Sequence, residues 1–143
     1  MGLEVSADDP ARPDVRSLLE QHLALMHAQS PPEDVHALDL DGLLDPSVSF
    51  FSCRSQGELL AVGALKLLSP DLAEVKSMHV AESARGQGIS RVVLAHLLDV
   101  ARLRGVQRVS LETGSQPEFA AARGLYLSAG FEPCVELFAM KRL

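Results

Sequence analysis

The 143-residue chain predicts a mixed α/β fold in which an antiparallel meander runs into a parallel crossover. Three observations carry that expectation. Strand-like runs at Val48–Arg54, Leu59–Leu68 and Ala73–Val80 are separated only by the tight turns Gln56-Gly57 and Ser69-Pro70-Asp71. The third run leads into Gly86-Gln87-Gly88, after which a helical pattern covers Gly88–Arg104. A further run, Arg108–Thr113, follows that helix, and strand, helix, strand in this order implies a parallel crossover.

Each element has its own signal. Leu3–Ser6 reads as a short first strand, and Asp8, Asp9, Pro10 and Pro13 mark a turn and a helix start, with Asp14 expected as the cap. Val15, Leu18, Leu19, His22, Leu23, Leu25 and Met26 recur at helical spacing, giving an amphipathic helix to about Gln29 that Pro31 and Pro32 stop. Glu33–Asp45 is expected to be a short helix or loop, with Val35, Leu38, Leu40, Leu43 and Leu44 folding back on the core. Gly105 closes the crossover helix in the usual C-terminal position. A last helix, Phe119–Ser128, ends near Gly130, and Phe131–Leu143 leaves room for one or two short strands. There are no repeats, low-complexity tracts or linkers.

Composition narrows the function classes. A 47% hydrophobic share in 143 residues supports one packed core, so a single domain over residues 1–143 is expected. No apolar run approaches the roughly 20 residues of a membrane span, and polar Met1–Asp14 is no secretory signal. A cytoplasmic protein without a membrane partner is expected. Cys53 and Cys134 are far apart and lack C-x-x-C spacing, which points to reduced, packed thiols. A net charge of −6 argues against nucleic acid as a partner and tolerates a cationic substrate.

The chemistry concentrates at Gly86-Gln87-Gly88. Paired glycines let the backbone turn sharply and approach a ligand unshielded. The helix behind them supplies unpaired amides and the positive end of its dipole, both of which favour an anion. Arg85 adds a guanidinium that can fork onto phosphate oxygens. The segment therefore reads as a pyrophosphate cradle. It is not a P-loop, because G-x-x-x-x-G-K-[ST] is absent, and Arg91 stands where a dinucleotide fingerprint needs its third glycine.

This arrangement resembles the GCN5-related N-acetyltransferase (GNAT) superfamily. Arg85-Gly86-Gln87-Gly88-Ile89-Ser90 is similar to the family's [RQ]-x-x-G-x-[GA], with Ser90 departing at the last small position. Glu74-Val75-Lys76-Ser77-Met78-His79-Val80 looks like the strand that leads into it. Downstream, Ala122-Arg123-Gly124-Leu125-Tyr126 followed by Ala129-Gly130-Phe131 is similar to A-x-x-[LF]-Y-x-x-x-G-F of the family's fourth helix. The resemblance covers Val48–Phe131 well and the N-terminal helices loosely. It implies a mixed, mostly antiparallel sheet of about six to seven strands flanked by about four helices and splayed between the fourth and fifth strands.

The resemblance also implies a reaction, transfer of an acetyl group from acetyl-CoA to an amine by direct attack on the thioester. On this basis the amides of Gly86, Gln87, Gly88, Ile89 and Ser90, with the Arg85 side chain, bind the CoA pyrophosphate. The exposed backbone of Met78, His79 and Val80 pairs with the pantetheine arm as an added strand would. Tyr126 matches the tyrosine that protonates the departing thiolate, a task suited to a phenol. Glu74 is the first candidate for general base, with Glu112 and His79 as alternatives. By family analogy Ser30–Asp41 is the acceptor-side loop, where Glu33, His36 and Asp39 would meet a cationic amine of a small molecule or peptide. The histidines lack the company a metal site needs, and no metal is expected. After Phe131 only 12 residues remain to close the sheet, so the acceptor site is expected to be open or completed by a second subunit of a homodimer. The competing function is a non-catalytic acetyl-CoA sensor that keeps the cradle without turnover; a nicotinamide-binding reductase is remote.

Overall fold

A computed structural model describes residues 2–29, 40–111, 120–134 and 138–143. Seven strands, β1 (Glu4–Ala7), β2 (Val48–Ser55), β3 (Glu58–Ser69), β4 (Leu72–Val80), β5 (Arg108–Leu111), β6 (Glu132–Cys134) and β7 (Phe138–Arg142), form one sheet in the order β1-β2-β3-β4-β5-β7-β6. Among the described residues only the β4–β5 pair is parallel, and it is the pair spanned by a helix. The mixed, mostly antiparallel sheet expected from the sequence is the one observed. The 12 residues after Phe131 suffice for two antiparallel strands, β7 lying beside β5.

Four helices complete the fold: α1 (Pro13–Gln29), α2 (Leu40–Leu43), α3 (Ile89–Leu103) and α4 (Ala120–Ser128). Proline at the first helical position has no amide to leave unpaired, so it starts α1 without cost. Asp14, expected as the cap, instead lies inside the first turn, where its carboxylate holds the Arg54 guanidinium at 2.8 Å. Among the described residues no helix is long and apolar enough to cross a membrane.

The sheet separates two apolar layers. On one face Phe51, Leu65, Val75, Val109 and Leu111 pack against Val93, Leu94 and Leu97 of α3, with Leu125 and Tyr126 of α4 joining them. On the other face Phe50, Val62 and Ala64 pack against Val15, Leu18 and Leu19 of α1 and Leu43 of α2. Adjacent residues of one strand thus serve opposite layers, as strand alternation requires.

β4 does not keep this alternation throughout. Lys76 faces Ala64 and His79 faces Val62, so Ser77 and Met78 both stand against the single residue Gly63. That is a bulge, and Ser77 adopts a left-handed φ of 55° within it. Gly63 has to be glycine here, because a Cβ would lie 2.8 Å from Cγ1 of Val93 and 3.2 Å from Cγ of Met78. The described ladder with β5 runs only from Leu72↔Arg108 to Val75↔Leu111. Among the described residues, the rest of β4 is therefore paired with β3 alone.

Candidate active site

The end of β4 passes through a 3-10 turn, Glu82–Ala84, into the glycine corner. Gly86 and Gly88 have φ of 79° and 74°, the left-handed region that side chains disfavour. A Cβ at either position would meet no protein atom within 4 Å, so the space above both is open. Gly88 is the N-cap of α3 and offers no side-chain bond to the first-turn amides, leaving those donors aimed into that space. Ile89 is buried and anchors the helix start, while the Arg85 Nε donates to the Val80 carbonyl at 3.4 Å and holds its guanidinium beside the corner. The predicted cradle residues thus form one contiguous turn whose backbone amides face open space.

Tyr126 approaches β4 from the α3/α4 face. Its ring meets Phe131 edge-on at 5.8 Å between centroids, and its hydroxyl donates to Sδ of Met78 at 3.9 Å. Burial pushes the phenol up to about 12, so it stays protonated through the physiological range. Arg91 of α3 donates to Oγ of Ser128, which in turn donates to the Leu125 carbonyl, tying the end of α4 to the cradle helix.

The opposite face of β4 carries charge and imidazole. Glu74 lies 7% exposed and its carboxylate accepts from Lys76 Nζ at 2.5 Å. Beyond the bulge His79 meets His22 of α1, with the two Nδ1 atoms 3.2 Å apart and the ring centroids 5.0 Å apart. Burial and the neighbouring His79 ring push His22 down to about 4. Burial and the Arg85 charge push His79 down to about 4 as well. Both rings are therefore neutral near pH 7.

The structure brings Met78, Tyr126 and the glycine corner together, and it keeps Glu74 well upstream of them on the strand. Glu33, His36 and Glu112 lie outside the described residues. His22 was not expected at the site. Its signal was present, since it occupies a position on the apolar stripe of α1, where a polar ring needs a partner. An open groove of about 840 Å³ runs on the same face between α1, the β2–β3 turn and the segment after β4, and Glu58 and Glu82 give it negative charge. Among the described residues no cluster of three or more metal-ligating side chains occurs.

A turn of open backbone amides at the end of β4, with the half-buried Tyr126 phenol over the same strand, is the arrangement expected of an acyltransferase of this fold. The chain belongs to the acetyltransferase (GNAT) family, whose model matches residues 14–131. It is 43% identical over 139 residues to the uncharacterized N-acetyltransferase YedL of Escherichia coli, covering 97% of this chain and 87% of that one. It is 42% identical over 132 residues to the uncharacterized N-acetyltransferase YsnE of Bacillus subtilis, covering 92% and 87%. In fold it is similar to a GNAT family acetyltransferase from Elizabethkingia anophelis crystallised with acetyl-CoA bound, with a TM-score of 0.71 at 20% identity over 92% of this chain and 77% of that one. By family and by these relatives the protein is accordingly an N-acetyltransferase.

Proposed function

We propose that the chain forms one acetyltransferase domain that acetylates a cationic small molecule or peptide amine by direct attack. The observation that carries this reading is the placement of the Tyr126 hydroxyl at Met78, on the stretch of β4 that has no described partner on its β5 side. An extended pantetheine arm can add to that edge as a strand, while the amides from Gly86 to Ser90 and the Arg85 guanidinium hold the pyrophosphate. The amine nitrogen bonds to the thioester carbon as the carbonyl electrons move to oxygen. Collapse then breaks the C–S bond, and Tyr126 gives its proton to the departing sulfur. A phenol held protonated by burial suits that step.

Glu74 and His79 are the described groups on the acceptor face of β4 that can take the amine's proton; Glu33, His36 and Glu112, which lie outside the described residues, are carried as further acceptor-side candidates from the sequence. Negative charge from Glu58 and Glu82 in the neighbouring groove supports a cationic acceptor.

Calorimetric titration with acetyl-CoA, followed by release of free thiol across polyamines, amino acids, aminoglycosides and lysine peptides, tests the reading. Binding with thiol release for one amine class is expected. Binding without release from any amine would favour a sensor, and absence of binding would overturn the cradle.

A further inference from the structure

The two candidate proton acceptors on β4 differ in where they stand relative to Tyr126. The sulfur that Tyr126 protonates must lie within hydrogen-bond reach of its hydroxyl, and the attacked carbonyl carbon is one bond further on. The base has to work within a few ångströms of that carbon. Met78, under the Tyr126 hydroxyl, is followed immediately by His79, whose side chain lies on the opposite face because its strand partner Val62 belongs to the α1 layer. Glu74 is four residues upstream of Met78, roughly 10 Å along the strand once the bulge between them is counted. It is also engaged by Lys76.

We infer that His79 takes the proton from the attacking amine and that His22 is the positioning residue that keeps it in the competent tautomer. This rests on the acetyl-transfer reading above. Two neutral rings whose Nδ1 atoms are 3.2 Å apart hold one proton between them. When His79 donates it, His22 accepts at Nδ1, and the Nε2 lone pair of His79 is left free. The amine proton passes to that Nε2 as the N–C bond forms. The imidazolium then loses it to solvent as Tyr126 regains the proton it gave to sulfur, and the sum is amine plus acetyl-CoA giving amide plus free CoA.

The surroundings suit a neutral base. Val62 on β3 and Leu18 and Leu19 on α1 are apolar, Lys76 and Glu74 are paired with each other, and Arg85 is the charge that acts on His79. A carboxylate beside the acceptor would stabilise its ammonium form, which cannot attack. A neutral imidazole does not stabilise the ammonium, and the burial and Arg85 charge that keep it neutral also make its imidazolium short-lived, so the proton must pass on to solvent.

The test uses the whole chain with methylamine as acceptor at saturating acetyl-CoA. His79→Asn keeps a group at the Nδ1 position and removes Nε2; it should lower kcat on the order of 100-fold while acetyl-CoA affinity, read by calorimetry, moves less than about threefold. His22→Ala should cost about tenfold in kcat, and His22→Asn, which restores an acceptor at the Nδ1 position, should recover most of it. Glu74→Gln should change kcat less than either. Independently of turnover, nitrogen-detected NMR of the wild-type rings should show His79 protonated at Nδ1 and bare at Nε2. Turnover of His79→Asn within about twofold of wild type, or a proton on His79 Nε2, overturns the inference. Failure of acetyl-CoA to bind would instead overturn the function reading.

Discussion

The two faces of β4 are built in opposite ways. On the α3/α4 face the site is nearly linear in the chain, since Met78, Arg85 and the glycine corner follow one another and only Tyr126 arrives from elsewhere. On the α1 face His79 depends on His22, 57 residues away in sequence. A face made from neighbours can be read from a motif; a face made by packing needs the fold first. On the proposed reading, backbone amides would hold the cofactor on the α3/α4 face, where Tyr126 also stands, while the His79–His22 pair would handle the amine on the other.

The largest expected effect tests the backbone half. Gly88→Val places a β-branched residue at φ 74°, a conformation such residues almost never adopt, and puts its side chain into the open space above the turn. Acetyl-CoA affinity should fall by on the order of 1,000-fold or more by calorimetry. A Cβ at this position meets no protein atom, so thermal unfolding should move by only a few degrees.

Next comes acid stability, which reports the other face. Both rings titrate near 4 in the folded protein and near 6.5 when unfolded, so between those values the unfolded chain binds more protons. Their neutral packing is fully stabilising above about pH 6.5 and is lost as pH falls towards 4, by on the order of a few kcal/mol for the pair together. Denaturant titrations at pH 7, 5.5 and 4.5 should show that slope in wild type and a smaller one in His22→Asn. Asp8 and Asp14 lie below the usual carboxylate range, Asp8 through Ser52 and Arg54 against its burial and Asp14 through Arg54, so their contribution is lost only at lower pH. A wild-type slope equal to that of His22→Asn would dissolve the contrast between the faces.

Tyr126→Phe ranks third. It removes one hydroxyl from a ring that packs on Phe131, so kcat should fall about 10- to 100-fold with acetyl-CoA affinity nearly unchanged. Equal thiol-release rates would remove Tyr126 from the mechanism.

How far the site was legible follows from the same physics. Turn chemistry and alternation are local, so the meander, the crossover and the glycine corner could be read from residue order, their ends differing by only a residue or two, while the C-terminal residues showed room for one or two strands and the structure has two. The resemblance gave Tyr126 its proposed role before its contact with Met78 was visible. Three things escaped. The bulge at Ser77 has no local sequence signal, since serine is not a left-handed residue by habit; it follows from Gly63 letting Met78 and Val93 crowd the opposite strand. The His22 contact required knowing that α1 lies across the end of β4. The Glu74–Lys76 ion pair required knowing that the two side chains share a face.

The smallest expected effect sits where the two faces change places. Ser77 holds a left-handed backbone without being glycine, and its hydroxyl is buried with no hydrogen-bond partner among the described residues. Both features cost stability, the conformation by about 1 kcal/mol and the unpaired hydroxyl by a similar amount. Ser77→Gly relieves both but gives the unfolded chain more freedom, which returns about 0.5–1 kcal/mol. The balance predicts a gain of about 1–1.5 kcal/mol by denaturant titration, with acetyl-CoA affinity retained because the edge groups of β4 are backbone. If the variant is instead less stable, the hydroxyl has a partner that holds the bulge. The register that sends Met78 to Tyr126 and His79 to His22 would then depend on that side chain as well as on the space left by Gly63.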